Sequence, residues 1–385
     1  MNRFQRLSGA HILSACRRIE RVRTDKKEVI LLIKPSYAGA TVEEQLGILS
    51  EYSAKAVFEV FGSTSENPQG RRYHHIPPQN GALSECPELA QRIVSEGHDL
   101  AGAGWSYSPL KSELFFGKKG FSSLEDAAAD RRRLCTLAGD LPFVTAVGNT
   151  ELTADEYSIF DLFSALGAQY ICPRQTFSED KPDKIAKLSE SLDKIPNMIT
   201  GWVIAVSGSS ALKALLAVLK KHGYKALSAS ELLARAPFSD ISEGHSCFEA
   251  TYQMLMQGRA VLCRDNTLRP GSAISAAEVY AMLTPREIML DYFRSRVFKT
   301  EPEFEVNRQS EKDFFSPPCR ATTAGLFYAC ANGWDTRLKY KALTPSEFAG
   351  ILERICEGRD IDLQLPKRDR LVKADVINTL CELIK

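Results

Sequence analysis

This sequence predicts an α/β domain followed by a smaller all-helical one, and three observations predict it. Short apolar runs alternate with amphipathic stretches from Glu28 to about Ala236, the pattern of repeated β/α units. Past Pro237 the pattern turns mostly helical and begins to repeat. At 385 residues the chain exceeds what one core normally serves. The expected division is a polar extension over 1–27, a β/α barrel over 28–236 and helical repeats over 237–385.

The extension has room for one short helix near Ile12 to Ile19. Val29 to Ile33 is a continuous apolar run, as a strand buried on both faces requires. Thr41 to Tyr52 reads as an amphipathic helix with Leu46 and Leu49 inward. Lys55 to Phe61 is the next strand, closed by Gly62, and a loop rich in Gly, Pro and Asn follows over 62–82. Pro87 to Glu96 is a helix presenting Leu89, Ile93 and Val94. Phe160–Leu166 and Gly167–Ile171 give another helix and strand. Trp202–Val206, Ser210–Lys221 and Lys225–Leu227 complete the series. Parallel strands with crossover helices suit a barrel, whose chemistry collects at the C-terminal strand ends.

Composition narrows the function classes. With 49 basic and 48 acidic side chains and no long charged block, a nucleic-acid footprint is unsupported. The run Arg131–Arg133 reads as a solvated helix face. The ten cysteines stand singly, without Cys-x-x-Cys or Cys/His ligand spacing, so zinc-module and thioredoxin readings have no support. Such thiols, Cys172 and Cys356 among them, read as core residues of a reducing setting. The basic N-terminus lacks the apolar stretch of a secretory signal, and no run approaches a membrane span.

Four segments in order resemble the polysaccharide deacetylases of carbohydrate esterase family 4. They are Thr41 through Leu49 to Phe61, Pro87 to His98 with its Gly97-His98 turn, Trp105-Ser106, and Leu212 through Gly223-Tyr224-Lys225 to Leu233. The resemblance covers roughly 28–236 and implies a distorted β/α barrel of polysaccharide-deacetylase type. It also implies chemistry that needs a divalent metal on one Asp and two His, an Asp base and a His acid. At the matching positions the base and metal Asp become Lys34 and Pro35. The metal histidines become Ala103 and Tyr107, the loop arginine falls near Thr145, and the acid histidine becomes Ser207. Pro and Ala carry no donor atom, and an ammonium repels a cation. The resemblance therefore implies a pseudoenzyme, with no metal and no cofactor.

Further residues have plainer readings beside functional ones. His98 belongs to a structural turn, and His74-His75 sit in an exposed loop. Lys34 is read as salt-bridged or solvent-facing rather than as a catalytic amine. Trp105 and Tyr107 are either core packing or a sugar-stacking platform. Gly102-Ala103-Gly104 is too short for a dinucleotide loop.

In the helical half, Phe238 to Ile241, Cys247 to Gly258, Arg264 to Pro270 and Ile274 to Leu283 resemble one S-layer-homology repeat. Arg320 to Trp334 with Leu343 to Leu352 is a looser copy. Leu363 to Pro366 with Leu371 to Ile377 is a remnant. The resemblance implies a pseudo-threefold unit that binds secondary cell-wall polysaccharide. Ser275 with Glu278, and Thr344 with Glu347, have the spacing of capping boxes. The anion-binding arginine of the repeat is replaced by Ala276, Pro345 and Lys373 in turn.

The expected function is a non-catalytic carbohydrate-binding or scaffolding protein of the bacterial cell envelope. Lys34, Trp105, Tyr107, Trp334 and Lys373 are its candidate contacts, and cell-wall polysaccharide or peptidoglycan its partner. Two alternatives stand beside it: a divergent deacetylase or hydrolase with metal-independent chemistry, and a cytoplasmic protein-interaction module. The resemblance places the chain at the cell envelope. The missing signal and unpaired cysteines place it in the cytoplasm.

Overall fold

The computed structural model describes residues 13–36, 41–64, 76–105, 124–139, 141–145, 163–297, 321–356 and 371–384. The chain divides into two compact units. One comprises Arg18–Leu152 and Ala168–Pro237; the other comprises Met1–Arg17, Thr153–Gly167 and Phe238–Lys385.

The first unit is a curled, parallel sheet with helices around it. Its strands are β1 (Arg18–Ile19), β2 (Glu28–Lys34), β3 (Val57–Val60), β4 (Asp99–Gly102), β5 (Phe143–Val144), β6 (Gln169–Ile171), β7 (Gln175–Ser178), β8 (Val203–Ser207) and β9 (Lys225–Leu227). They lie in the order β1-β6-β5-β4-β3-β2-β8-β7, with β9 paired to β2. The lower half of β2 pairs with β9 through Glu28–Ile30, the upper half with β3 through Leu32 and Ile33. The sheet curls because the segment after β1 reaches across to the entry of β8: Val22 N–H donates to Gly201 O, and Val203 N–H to Glu20 O, both at 2.9 Å. Gly201 has a φ of +72°, and a β-carbon there would strike the Val22 carbonyl, so this closure needs glycine.

Helices α1 (Val42–Glu51), α2 (Glu88–Ser95), α3 (Leu124–Ala138), α4 (Asp183–Lys194), α5 (Ser209–Lys221) and α6 (Ala229–Arg235) accompany the strands. Thr41 caps α1 by accepting from Glu44 N–H, which fixes its start. Leu46 and Leu49 of α1, Ile93 of α2 and Leu212, Leu215 and Leu219 of α5 meet the outward residues Val29, Leu31 and Ile33 of β2 in one core. The inward residues form a second core. Truncating such a buried leucine to alanine costs about 2–5 kcal/mol.

The expected helix near Ile12 to Ile19 is absent from its described part: Leu13 makes an isolated bridge to Cys263, and Arg18–Ile19 is an edge strand. The expected extension over 1–27 differs accordingly, since Ile19 and Val22 are fully buried in the sheet unit. Sheet hydrogen bonds captured a segment whose own helical signal was weak.

The second unit contains α7 (Phe248–Met256), α8 (Ala276–Leu283), α9 (Arg286–Val297), α10 (Ala321–Ala331), α11 (Pro345–Ile355) and α12 (Lys373–Leu383). Helices α8 and α10 pack closely: Gly325 faces the backbone of Tyr280 and Ala281, with no space for a β-carbon. Ser275 and Thr344 form capping boxes with Glu278 and Glu347. Val372, at the head of α12, has no such side chain. Among the described residues, no helix is long and apolar enough to cross a membrane.

Candidate functional site

Strand alternation builds the candidate site. Ile30 and Leu32 of β2, Val57 of β3, Ala101 of β4, Phe143 of β5, and Val203 and Ala205 of β8 point into the inner core. Two residues farther along each strand, the same parity brings Lys34, Glu59, Ala103, Thr145 and Ser207 to the inner face at the C-terminal end. Of the residues singled out from sequence, the structure thus gathers Lys34, Ala103, Thr145 and Ser207 at one end of the sheet. Pro35 follows directly. Tyr107 lies outside the described residues, as do His74 and His75.

The charge at this end is an ion pair. Lys34 Nζ lies 3.9 Å from Glu59 Oε2; the Glu59 side chain is wholly buried and that of Lys34 is 19% exposed. A carboxylate taken from water needs an opposite charge close by, and the ammonium supplies it. Glu59 was not singled out from sequence, although an acid inside the apolar run Val57-Phe58-Glu59-Val60 was a usable signal. Ser207 lies opposite Lys34 in the register, and its hydroxyl donates to Pro35 O at 3.2 Å. Thr145 N–H donates to Gly102 O, while its buried hydroxyl has no hydrogen-bond partner among the described residues.

Beside this pair the strand ends are apolar. Ala103 clusters with Phe61, Ile76 and Ala82, all buried. Trp105 is 7% exposed. Its ring packs on Gly62, where any β-carbon would overlap it, and the Arg133 guanidinium lies over the ring at 3.7 Å. One face of the expected stacking platform is therefore occupied by the protein itself. The arginine run is not simply solvated: Arg133 covers this ring, and Arg131 donates to Leu141 O.

These residues do not fit a divalent ion. Pro35 and Ala103 offer no side-chain donor, an ammonium stands where a cation would need anions, and apolar groups fill the space at Ala103. Among the described residues, no group of three or more His, Cys, Asp or Glu is placed to hold a metal. His98 lies elsewhere, accepting Ala56 N–H at Nδ1 (3.1 Å) and meeting Phe58 edge-on. Burial first, and nearby Lys55 second, hold its pKa down to about 4.

In the helical unit, Lys373 is turned inward. It is 2% exposed, with Nζ 2.8 Å from Glu278 Oε1 and 3.9 Å from Cys263 Sγ. The expected anion contact is an internal ion pair, because the capping acid of α8 needs a counter-charge. Burial pushes the Cys263 thiol up, against the lowering pull of Lys373. Ala276 and Pro345 present no charge at the equivalent positions. Trp334 packs between Tyr280 and Tyr328, with ring centroids at 5.8 and 5.5 Å. A cleft of about 540 Å³ is lined by Asp335, Arg337, Glu347 and Arg354 among others. Arg337 and Arg354 both pair with Asp335, whose pKa falls to about 2, chiefly through its hydrogen bonds with Arg337. That of Glu347 also falls to about 2, through Lys341 first and the Thr344 cap second.

No protein-family model matches the chain, and no curated protein does. Among solved structures it is similar to a family 4 carbohydrate esterase from Bacillus anthracis, with 16% identity, TM-score 0.40, and 61% of this chain and 93% of that one covered. It is also similar to a family 4 pseudoenzyme from Bacillus anthracis, with 16% identity, TM-score 0.39, and 56% and 68% covered. The family 4 carbohydrate esterase PdaA of Bacillus subtilis matches at 15% identity and TM-score 0.39, with 56% and 84% covered. Likeness at this level assigns no residue of this chain a role.

Proposed function

We propose that this chain is a non-catalytic carbohydrate-binding or scaffolding protein of the bacterial cell envelope, with a deacetylase-type sheet and degenerate S-layer-homology repeats. The Lys34–Glu59 pair carries the reading. Where metal-dependent deacetylation requires open anionic donors, this chain has a cation already held by its own buried acid. Polymer contacts then fall to the helical unit, to Trp334 and to the polar groups of the cleft at Asp335 and Arg337. Cell-wall polysaccharide or peptidoglycan is the proposed partner.

Calorimetric titration with zinc and cobalt, alongside acetate release from chitin oligomers and peptidoglycan fragments, tests the loss of chemistry. The expected result is neither stoichiometric metal binding nor metal-dependent acetate release; finding both would overturn it. Sedimentation with purified cell walls tests the binding role, and a chain that stays wholly in the supernatant would remove it. A second reading is metal-independent chemistry at Lys34, whose side chain keeps part of its surface in solvent and has Ser207 opposite it in the register. That reading requires a hydrolytic activity on such glycans that Lys34→Ala abolishes.

A further inference from the structure

We infer that the sheet unit carries a docking face for an anionic lipid bilayer, on the rim opposite the candidate site. The loops entering β2, β8 and β9 build this face. Strands of a parallel sheet all enter from one end, so these loops lie together. Hydrogen bonds join them. Lys225 N–H donates to Lys27 O at 2.9 Å, and Lys27 Nζ donates to His222 O at 3.1 Å. The Tyr224 hydroxyl donates to Pro196 O at 2.9 Å. Lys221 Nζ stands 3.4 Å from Asp193 Oδ1, on the last turn of α4.

The charge of this rim is one-sided. Lys26, Lys194, Lys220, Lys221 and Lys225 are exposed, and Lys27 is half-buried. Asp25 and Asp193 are the exposed acids within these loops and the end of α4, and Lys221 already holds Asp193. Lys26, Lys194 and Lys225 make no ion pair among the described residues. The whole chain carries only +1, so the excess is local, and salt confines its pull to a surface close by. An anionic leaflet attracts each such lysine. Ile195 stands within this ring of cations. It ends α4 with 58% of its surface exposed, and Pro196 after it is exposed as well. A soluble polyanion would engage the lysines alone. A bilayer also receives the apolar side chain below its headgroups, while the lysine stems keep their ammoniums at the interface.

Sedimentation of the full chain with vesicles tests this face, using phosphatidylglycerol mixed with phosphatidylcholine beside pure phosphatidylcholine. Binding should be at least about tenfold tighter to the anionic vesicles, and should fall steeply between about 0.05 and 0.5 M salt. Lys26→Glu, Lys194→Glu and Lys225→Glu together should weaken it at least about tenfold. These side chains are exposed, so Tm should hold. Ile195→Ser alone should weaken vesicle binding about threefold or more and leave binding to soluble polyphosphate unchanged. Equal affinity for the two vesicle types, or a triple variant that binds as well as the unaltered chain, would overturn the face. Polyphosphate bound as tightly as anionic vesicles, with Ile195→Ser silent, would give the lysines to a soluble polyanion and overturn the bilayer. The vesicles contain no glycan, so this face and the proposed function fail independently.

Discussion

Both units contain a Lys–Glu pair at a position where resemblance led us to expect ligand contacts, and the two are built in opposite senses. In the sheet unit the acid is enclosed: Glu59 is fully buried, and Lys34 reaches it at 3.9 Å with part of its side chain in solvent. In the helical unit the base is enclosed: Lys373 is 2% exposed, and Glu278 meets it at 2.8 Å while also closing the capping box of α8. A buried charge depends on its partner far more than a wet one does. The pair in the helical unit is therefore a structural tie. The one in the sheet unit is looser, with its cation partly in solvent.

The largest effect should come from Glu278→Ala. It strands the Lys373 ammonium and opens a capping box, at a cost of about 3–5 kcal/mol in denaturant unfolding of the full chain. A loss under about 1 kcal/mol would erase the contrast between the pairs. His98 provides the next test, as a buried group that makes no ion pair among the described residues. Its pKa is held near 4 against an ordinary 6.5, so the folded chain binds fewer protons than the unfolded one between those values. Stability from this group is complete above pH 6.5 and drains away as pH falls to 4, by up to about 3 kcal/mol. His98→Leu should flatten that slope in a pH series of unfolding midpoints.

Lys34→Met should cost about 1–3 kcal/mol, less than the Glu278 change because the removed partner is distant and partly wet. Adding Glu59→Leu should restore stability to within about 1 kcal/mol of the unaltered chain, or above it. A double variant worse than the single one would show that Glu59 does more than answer Lys34. At the small end, Arg337→Ala removes an exposed guanidinium from Asp335. The expected outcome is no resolvable change in Tm, since an exposed pair is screened by water and Asp335 keeps Arg354.

Much of the sheet unit was legible beforehand where the signal was local. The apolar run of β2, the capped helix α1 and the periodic faces of α2 and α5 each carry enough residues to announce themselves. β4, β5 and β7 were not anticipated, being two to four residues long and dependent on neighbours for their hydrogen bonds. Helix α4 was also missed: only Ile185, Leu188 and Leu192 mark its buried face amid charged residues. At the site, the resemblance singled out Lys34, Ala103, Thr145 and Ser207, and the tertiary structure brought them to one end of the sheet. The sequence did not reveal that Glu59 answers the lysine, that Arg133 covers Trp105, or that Lys373 turns inward.

By itself the sequence determined the alternating strands and helices of the first unit, the capping acids of the second, and the absence of donor atoms at positions such as Pro35 and Ala103. These follow from residue chemistry and from spacing along a single element. Only the tertiary structure decided which charges pair and which surfaces are covered. Lys34 meets Glu59 because β2 and β3 lie side by side, and Lys373 meets Glu278 because α12 packs near the head of α8. Such pairings are set by register and helix packing between residues far apart in the chain, where no local pattern records them.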